Sequence, residues 1–170
     1  DRLRDTARSH ERCSVVEVMG RHAGHIAVST AIANGAMAVL IPEKEFDLER
    51  DVINQIKESL KIGKKNFLVV VAEGVGSAVD IGKEIGEKTG IDTRVTVLGH
   101  VQRGGSPTAE DRVKASMLGE KAALALLNGQ SNIVFGINEG KVVAIDLHDS
   151  VNNNKTLDPE LVRLARVLSK

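Results

Sequence analysis

Aromatic side chains are almost missing from the sequence. Phe46, Phe67 and Phe135 are the whole set, 2% of 170 residues, with no Trp and no Tyr. Platforms on which bases or sugar rings could stack are therefore nearly absent. Cysteine occurs once, at Cys13, so no internal disulfide can form, which fits a reducing cytoplasm. Neither sign of charge is in excess: 23 Lys and Arg stand against 23 Asp and Glu. That balance argues against a basic nucleic-acid binder. No apolar run approaches the ~20 residues of a membrane span. One of the longest, Phe67-Leu68-Val69-Val70-Val71-Ala72, suits a buried strand instead. The charged start, Asp1-Arg2-Leu3-Arg4-Asp5, does not read as a signal peptide. Without an initiator Met, the chain reads as a piece of a longer protein.

What is present is the makings of a core. Hydrophobic residues are 42% of the chain and charged residues 27%, the composition of a folded protein rather than a disordered one. A chain of this length can bury roughly 70% of its unfolded surface. Short β-branched runs alternate with helical stretches. Ser14–Val18, Ala38–Ile41, Phe67–Ala72 and Thr93–Leu98 read as strands. Gly24–Asn34, Asp47–Lys61 and Val79–Lys88 read as helices. Leu48, Val52, Ile56 and Leu60 fall four apart on one face, with Asp47 as N-cap and Gly63 as stop. Strand and helix in alternation, with continuously apolar strands, predicts a parallel α/β sheet covered on both faces. A glycine turn, Gly104-Gly105-Ser106-Pro107, then leads to a long helix, Thr108–Leu127. Ser106 or Thr108 could cap it, with Pro107 in its first turn. Asn132–Ile137 and Lys141–Leu147 around Asn138-Glu139-Gly140 predict a hairpin. Val151–Lys155 reads as a polar linker and Asp158–Leu168 as a terminal helix.

Ligands of open α/β sheets gather at the carboxyl ends of strands. Three such ends combine glycine with charged or donor side chains: Met19-Gly20-Arg21, Glu73-Gly74-Val75-Gly76-Ser77, and Gly99-His100-Val101-Gln102-Arg103-Gly104-Gly105. Glycine lets backbone approach a ligand, and an arginine fork suits phosphate oxygens. His100 and Arg103 are three apart and could converge on one anion, while Glu73 suits sugar hydroxyls. Together these describe a site for a phosphorylated polyol. Taken singly, each glycine turn is ordinary punctuation, Arg12 and Arg94 are surface charges, and Glu73 is a turn residue. Cys13 reads as a small buried hydrophobe. No metal-ligand spacing and no P-loop pattern occur.

The third cluster is part of a longer run, Val97-Leu98-Gly99-His100-Val101-Gln102-Arg103-Gly104-Gly105-Ser106-Pro107, with Asp111-Arg112 following. It closely resembles the signature of the bacterial ATP-dependent 6-phosphofructokinase family. Val15–Gly24 and Ala72–Gly76 resemble two further segments of that family, in the same order and at matching intervals. The resemblance covers essentially the whole chain, but only the second half of such an enzyme. It implies a three-layer phosphofructokinase-like α/β fold. Residues 1–102 would form the sugar-phosphate domain, 103–152 a segment of the nucleotide domain, and 153–170 a helix returning to the first.

The resemblance also implies roles. Met19, Gly20 and Arg21 would contact fructose 6-phosphate, with Arg21 also near the transferred phosphoryl as a catalytic residue. Glu73 would bind sugar hydroxyls. His100 and Arg103 would grip the 6-phosphate, with Val101 and Gln102 beside them. Arg12 and Arg94 would reach the phosphate of a neighbouring subunit, in a homotetramer. ATP and magnesium would be held mainly by the half not present here, as would the catalytic base, so the chain alone is expected to be inactive. An effector site for ADP or phosphoenolpyruvate would involve Arg4, Gly35, Ala36, Met37, Ile62, Lys64, Lys65 and Asn66. Met37 stands there for an acid and Ile62 for a base, so control by ADP is expected to be weakened. Two other readings stay open: a pyrophosphate-dependent relative, and a non-catalytic sugar-phosphate-binding module. Neither a membrane nor a nucleic acid is an expected partner.

Overall fold

The computed structural model describes residues 2–152 and 155–168, with only the backbone of Arg8. The chain divides into two compact units, Asp1–Gly104 with Leu157–Lys170, and Gly105–Thr156.

The first unit is built on a four-stranded parallel sheet. It opens with helix α1 (Arg2–Ser9), then strand β1 (Cys13–Val18), helix α2 (His25–Asn34) and strand β2 (Ala38–Leu40). Helix α3 (Asn54–Lys61) follows a wide π turn, Glu49–Ile53. Strand β3 (Phe67–Ala72), helix α4 (Ala78–Thr89) and strand β4 (Thr93–Val97) complete the alternation. The strand order is β2-β3-β1-β4, every pair parallel. Burial explains the unbroken apolar strands. Cys13, Val15, Val69 and Val71 face α3 and α4, packing with Ile53, Ile56 and Ile85. Val16, Val18, Val70 and Ala72 face the other way, against Ala27, Val28 and Ala165. Ala165 belongs to helix α7 (Pro159–Leu168), which lies beside α2. Three layers result. Cys13 is fully buried, and burial pushes its thiol pKa up to about 12.

Asp47 acts as expected at the head of the α3 region. Its carboxylate accepts the Arg50 backbone N–H at 2.9 Å, and the Asp51 carboxylate accepts the Asp47 N–H at 2.9 Å. The chain beyond it starts as a π turn before settling into α3.

The second unit holds helix α5 (Ala109–Leu127) and an antiparallel hairpin of β5 (Ile133–Asn138) and β6 (Lys141–Asp146). Thr108 is the cap of α5: its hydroxyl accepts the Asp111 N–H at 3.2 Å, and the Asp111 carboxylate accepts the Thr108 N–H at 2.9 Å. Pro107 therefore precedes the cap instead of sitting in the first turn. The hairpin turns through Glu139 and Gly140, both at positive φ (50° and 76°), as a type I′ turn requires. One expectation fails at its end. Leu147 does not continue the strand but opens helix α6 (Leu147–Asn152), because the Asp146 carboxylate caps the N–H groups of His148 and Asp149. Of the expected linker, Val151 and Asn152 are thus helical, and Asn153 and Asn154 lie outside the described residues.

Candidate functional site

Strands β1 and β3 are neighbours, yet the helices that follow them, α2 and α4, pack on opposite faces of the sheet. That divergence opens a crevice beyond their carboxyl ends, the place where ligands of open α/β sheets bind. Three loops meet there. The Glu73 carboxylate oxygen Oε1 accepts the N–H of Arg21 at 2.6 Å and of Gly20 at 3.2 Å. The Gln102 side-chain oxygen accepts the N–H of Met19 at 2.8 Å, across 83 residues of sequence. Gln102 belongs to a 3-10 turn, Gly99–Arg103, that also carries His100, Val101 and Arg103 on its exposed side.

The backbone there is tight. A Cβ at Gly74 would stand 2.1 Å from the Arg21 carbonyl oxygen, and one at Gly20 would stand 2.2 Å from that of Ala23. Only glycine fits either position. Arg21 itself takes φ +54°, in the left-handed region that costs an ordinary residue about 1–2 kcal/mol. Two amides of one turn thus point at one carboxylate oxygen, while the Arg21 side chain is exposed. Chemically the crevice offers backbone and carboxylate groups for hydroxyls, beside exposed arginines for an anion.

Arg12 and Arg94 lie elsewhere. Both sit at the amino ends of β1 and β4, the length of six-residue β1 away from Met19, or about 20 Å. Each pairs with Asp92: Arg12 Nε is 3.2 Å from one carboxylate oxygen, and Arg94 Nε is 3.2 Å from the other. Asp92 was invisible to motif reading. Its only signal is the Asp-x-Arg spacing, which puts both side chains on one side of an extended chain.

The residues read as an effector set are partly gathered. The Arg4 guanidinium lies beside Gly35, with Nη2 3.9 Å from where a Cβ would stand. Lys64 lies over the Phe67 ring, 5.8 Å from its centre, and Lys65 pairs with Glu11 at 2.9 Å. Asn66 is half-buried and Ile62 is exposed. Met37 is buried in the core at 3% exposure, next to buried Ala36. A cleft of about 570 Å³ lies between β2, α3 and α7 and is lined by Leu40, Lys44, Phe46, Asn54, Val162 and Arg166. None of the candidate substrate residues lines it. Burial and nearby Arg166 hold the Lys44 amine below its ordinary pKa.

The sequence pattern of the family described as Phosphofructokinase matches residues 1–126. The chain is 53% identical over 169 residues to ATP-dependent 6-phosphofructokinase of Bacillus thuringiensis (strain Al Hakam), covering 99% of this chain and 53% of that protein. The protein of the same description from Bacillus cereus (strain AH187) matches equally. The chain spans about half the length of the curated relatives it matches. Among solved structures, phosphofructokinase from Saccharomyces cerevisiae superposes with TM-score 0.80 at 38% identity, over 89% of this chain and 22% of that one. Pyrophosphate-dependent phosphofructokinase from Nitrosospira multiformis shares the fold, with TM-score 0.79 at 21% identity, over 99% of this chain and 51% of that one.

Proposed function

The chain belongs to the phosphofructokinase family, and on that premise we propose that it is the sugar-phosphate-binding half of an ATP-dependent 6-phosphofructokinase. Such an enzyme moves the terminal phosphoryl of ATP to the 1-hydroxyl of fructose 6-phosphate. The observation that carries the reading is the meeting of three loops at the β1/β3 crevice through Glu73 and Gln102. Phosphoryl transfer is mostly positioning and charge stabilisation, so a sugar half needs cations and hydroxyl acceptors more than reactive groups.

In this reading His100 and Arg103 grip the 6-phosphate. Glu73 accepts sugar hydroxyls through the oxygen not engaged by Gly20 and Arg21. Gln102 holds the Met19–Arg21 turn in register beside them, and the Arg21 side chain faces the transferred phosphoryl. Arg12 and Arg94, at the far end of the sheet, serve the phosphate bound by a neighbouring copy in a homotetramer. Residues 103–152 pack with the nucleotide-binding half. ATP supplies the phosphoryl group and magnesium would offset its charge. Among the described residues no three His, Cys, Asp or Glu side chains gather to hold a metal, and in this reading magnesium arrives with ATP on the other half. The ATP reading is preferred to the pyrophosphate one because ATP-named relatives match at 53% identity and the pyrophosphate-named structure at 21%.

The test is steady-state kinetics on the full-length enzyme. Arg103→Ala removes a charge-assisted phosphate contact of roughly 1.5–3 kcal/mol, so KM for fructose 6-phosphate rises about ten- to a hundredfold. Arg21→Ala lowers kcat, and KM for ATP stays nearly unchanged in both. Equal losses for ATP and sugar phosphate would contradict the assignment.

A further inference from the structure

Arg12 stands one residue before β1, and Asp92 one residue before β4. The two strands pair in parallel with Cys13 opposite Thr93 and Ser14 opposite Arg94. The Cys13 N–H donates to the Asp92 carbonyl at 2.9 Å, carrying that register to the strands' first residues. Residues two apart on a strand share a face, and cross-strand neighbours point the same way. Arg12, Asp92 and Arg94 therefore project together from the amino end of the sheet. The Asp92 carboxylate uses one oxygen for each guanidinium, at 3.2 Å in both cases, and meets each at the inner nitrogen Nε.

The burial of the two arginines differs. The Arg12 side chain is 24% exposed and its Nε is buried without a hydrogen bond, so the charge of Asp92 is its close compensation there. The Arg94 side chain is 65% exposed, and a long side chain in solvent loses rotamer freedom when it is ordered. Two guanidiniums this near one another also repel. A single carboxylate between them offsets the repulsion and orders both stems, while the terminal nitrogens still carry donors suited to a phosphate.

We infer that Asp92 is a positioning residue, which holds Arg12 and Arg94 as one fixed pair of forks for the sugar phosphate. The inference rests on the reading that these arginines grip that phosphate in a neighbouring copy. Asp92 itself does not touch the ligand. Its negative charge lowers the raw attraction for a phosphate, and its ordering of the two arginines outweighs that loss.

The experiment compares Asp92→Asn, Asp92→Glu, Arg12→Ala, Arg94→Ala and the Asp92→Asn/Arg94→Ala double variant in the full-length enzyme. KM for fructose 6-phosphate, KM for ATP and kcat are measured for each. Asp92→Asn is expected to raise KM for fructose 6-phosphate roughly tenfold, with kcat and KM for ATP within about twofold of the parent. Asp92→Glu keeps the charge and restores most of the affinity. Added to Arg94→Ala, Asp92→Asn costs little more, because the pair it orders is already broken. An Asp92→Asn enzyme with unchanged or lower KM for fructose 6-phosphate, while Arg94→Ala raises it, would overturn the positioning role alone. A common fall of all parameters in both Asp92 variants would assign the residue to the fold and overturn it too. If neither Arg12→Ala nor Arg94→Ala moves that KM, the phosphate reading falls, and the inference with it.

Discussion

Glu73 accepts two backbone N–H groups from a loop more than fifty residues earlier in the chain. The sequence suggests Glu73 as a ligand for hydroxyls but not as the brace of the Met19–Arg21 turn. Residue type and position were legible because glycine next to charge stands out at a strand end. The partner was not, since a hydrogen bond across fifty residues leaves no local pattern. Asp92 escaped for the same reason: a lone acid near a strand resembles any surface charge. Met37 is the opposite case. Its chemistry was plain from the sequence, and the structure adds that its thioether is buried at 3% exposure. A thioether offers no oxygen to a magnesium-bound nucleotide, and magnesium wants oxygen ligands. Activation of the full-length enzyme by ADP at subsaturating fructose 6-phosphate is therefore expected to be weak. Strong activation that Lys64→Ala abolishes would show a working effector site at these residues.

At the scale of elements, the four strands and the helices α2, α3, α4, α5 and α7 were readable, because each shows an apolar periodicity or a clear cap and stop. Helix α1 was not. Among the described side chains of Arg2–Ser9 only Ala7 is buried in the core, with Leu3 partly buried one turn before it, so its apolar stripe is short. Helix α6 was hidden because Asp146 caps it while closing a strand. The π turn before α3 has a measurable signature. Asp51 accepts a hydrogen bond from the Arg50 side chain, then the Asp47 N–H, and these hold its pKa at about 2 instead of 3.8. Its ionised form is favoured in the folded state. It therefore contributes stability above its ordinary pKa, and that contribution is lost as pH falls from about 4 towards 2. The melting temperature of the parent should drop more steeply than that of Asp51→Asn across this window, since asparagine has no proton to gain. Parallel curves for the two proteins would contradict this.

At the scale of the whole molecule, the two units differ in how well they close their own cores. The first covers both faces of its sheet. The second leaves Val113, Met117, Leu124, Leu126 and Leu127 of α5 exposed, with Ile137 and Ile145 of its hairpin. A two-stranded sheet is marginal by itself, and exposed apolar side chains in this number call for a partner. The proposed partner is the nucleotide-binding half, and the curated relatives are about twice as long as this chain. The proposal on which the others rest is that the β1/β3 crevice holds the sugar phosphate. The most direct measurement is a crystal structure of the full-length protein with fructose 6-phosphate bound. The expected result is the sugar at the carboxyl ends of β1, β3 and β4, its hydroxyls on Glu73, and its phosphate within about 3 Å of donors on His100 and Arg103. Fructose 6-phosphate found instead in the cleft between β2, α3 and α7, with the crevice bare, would contradict it.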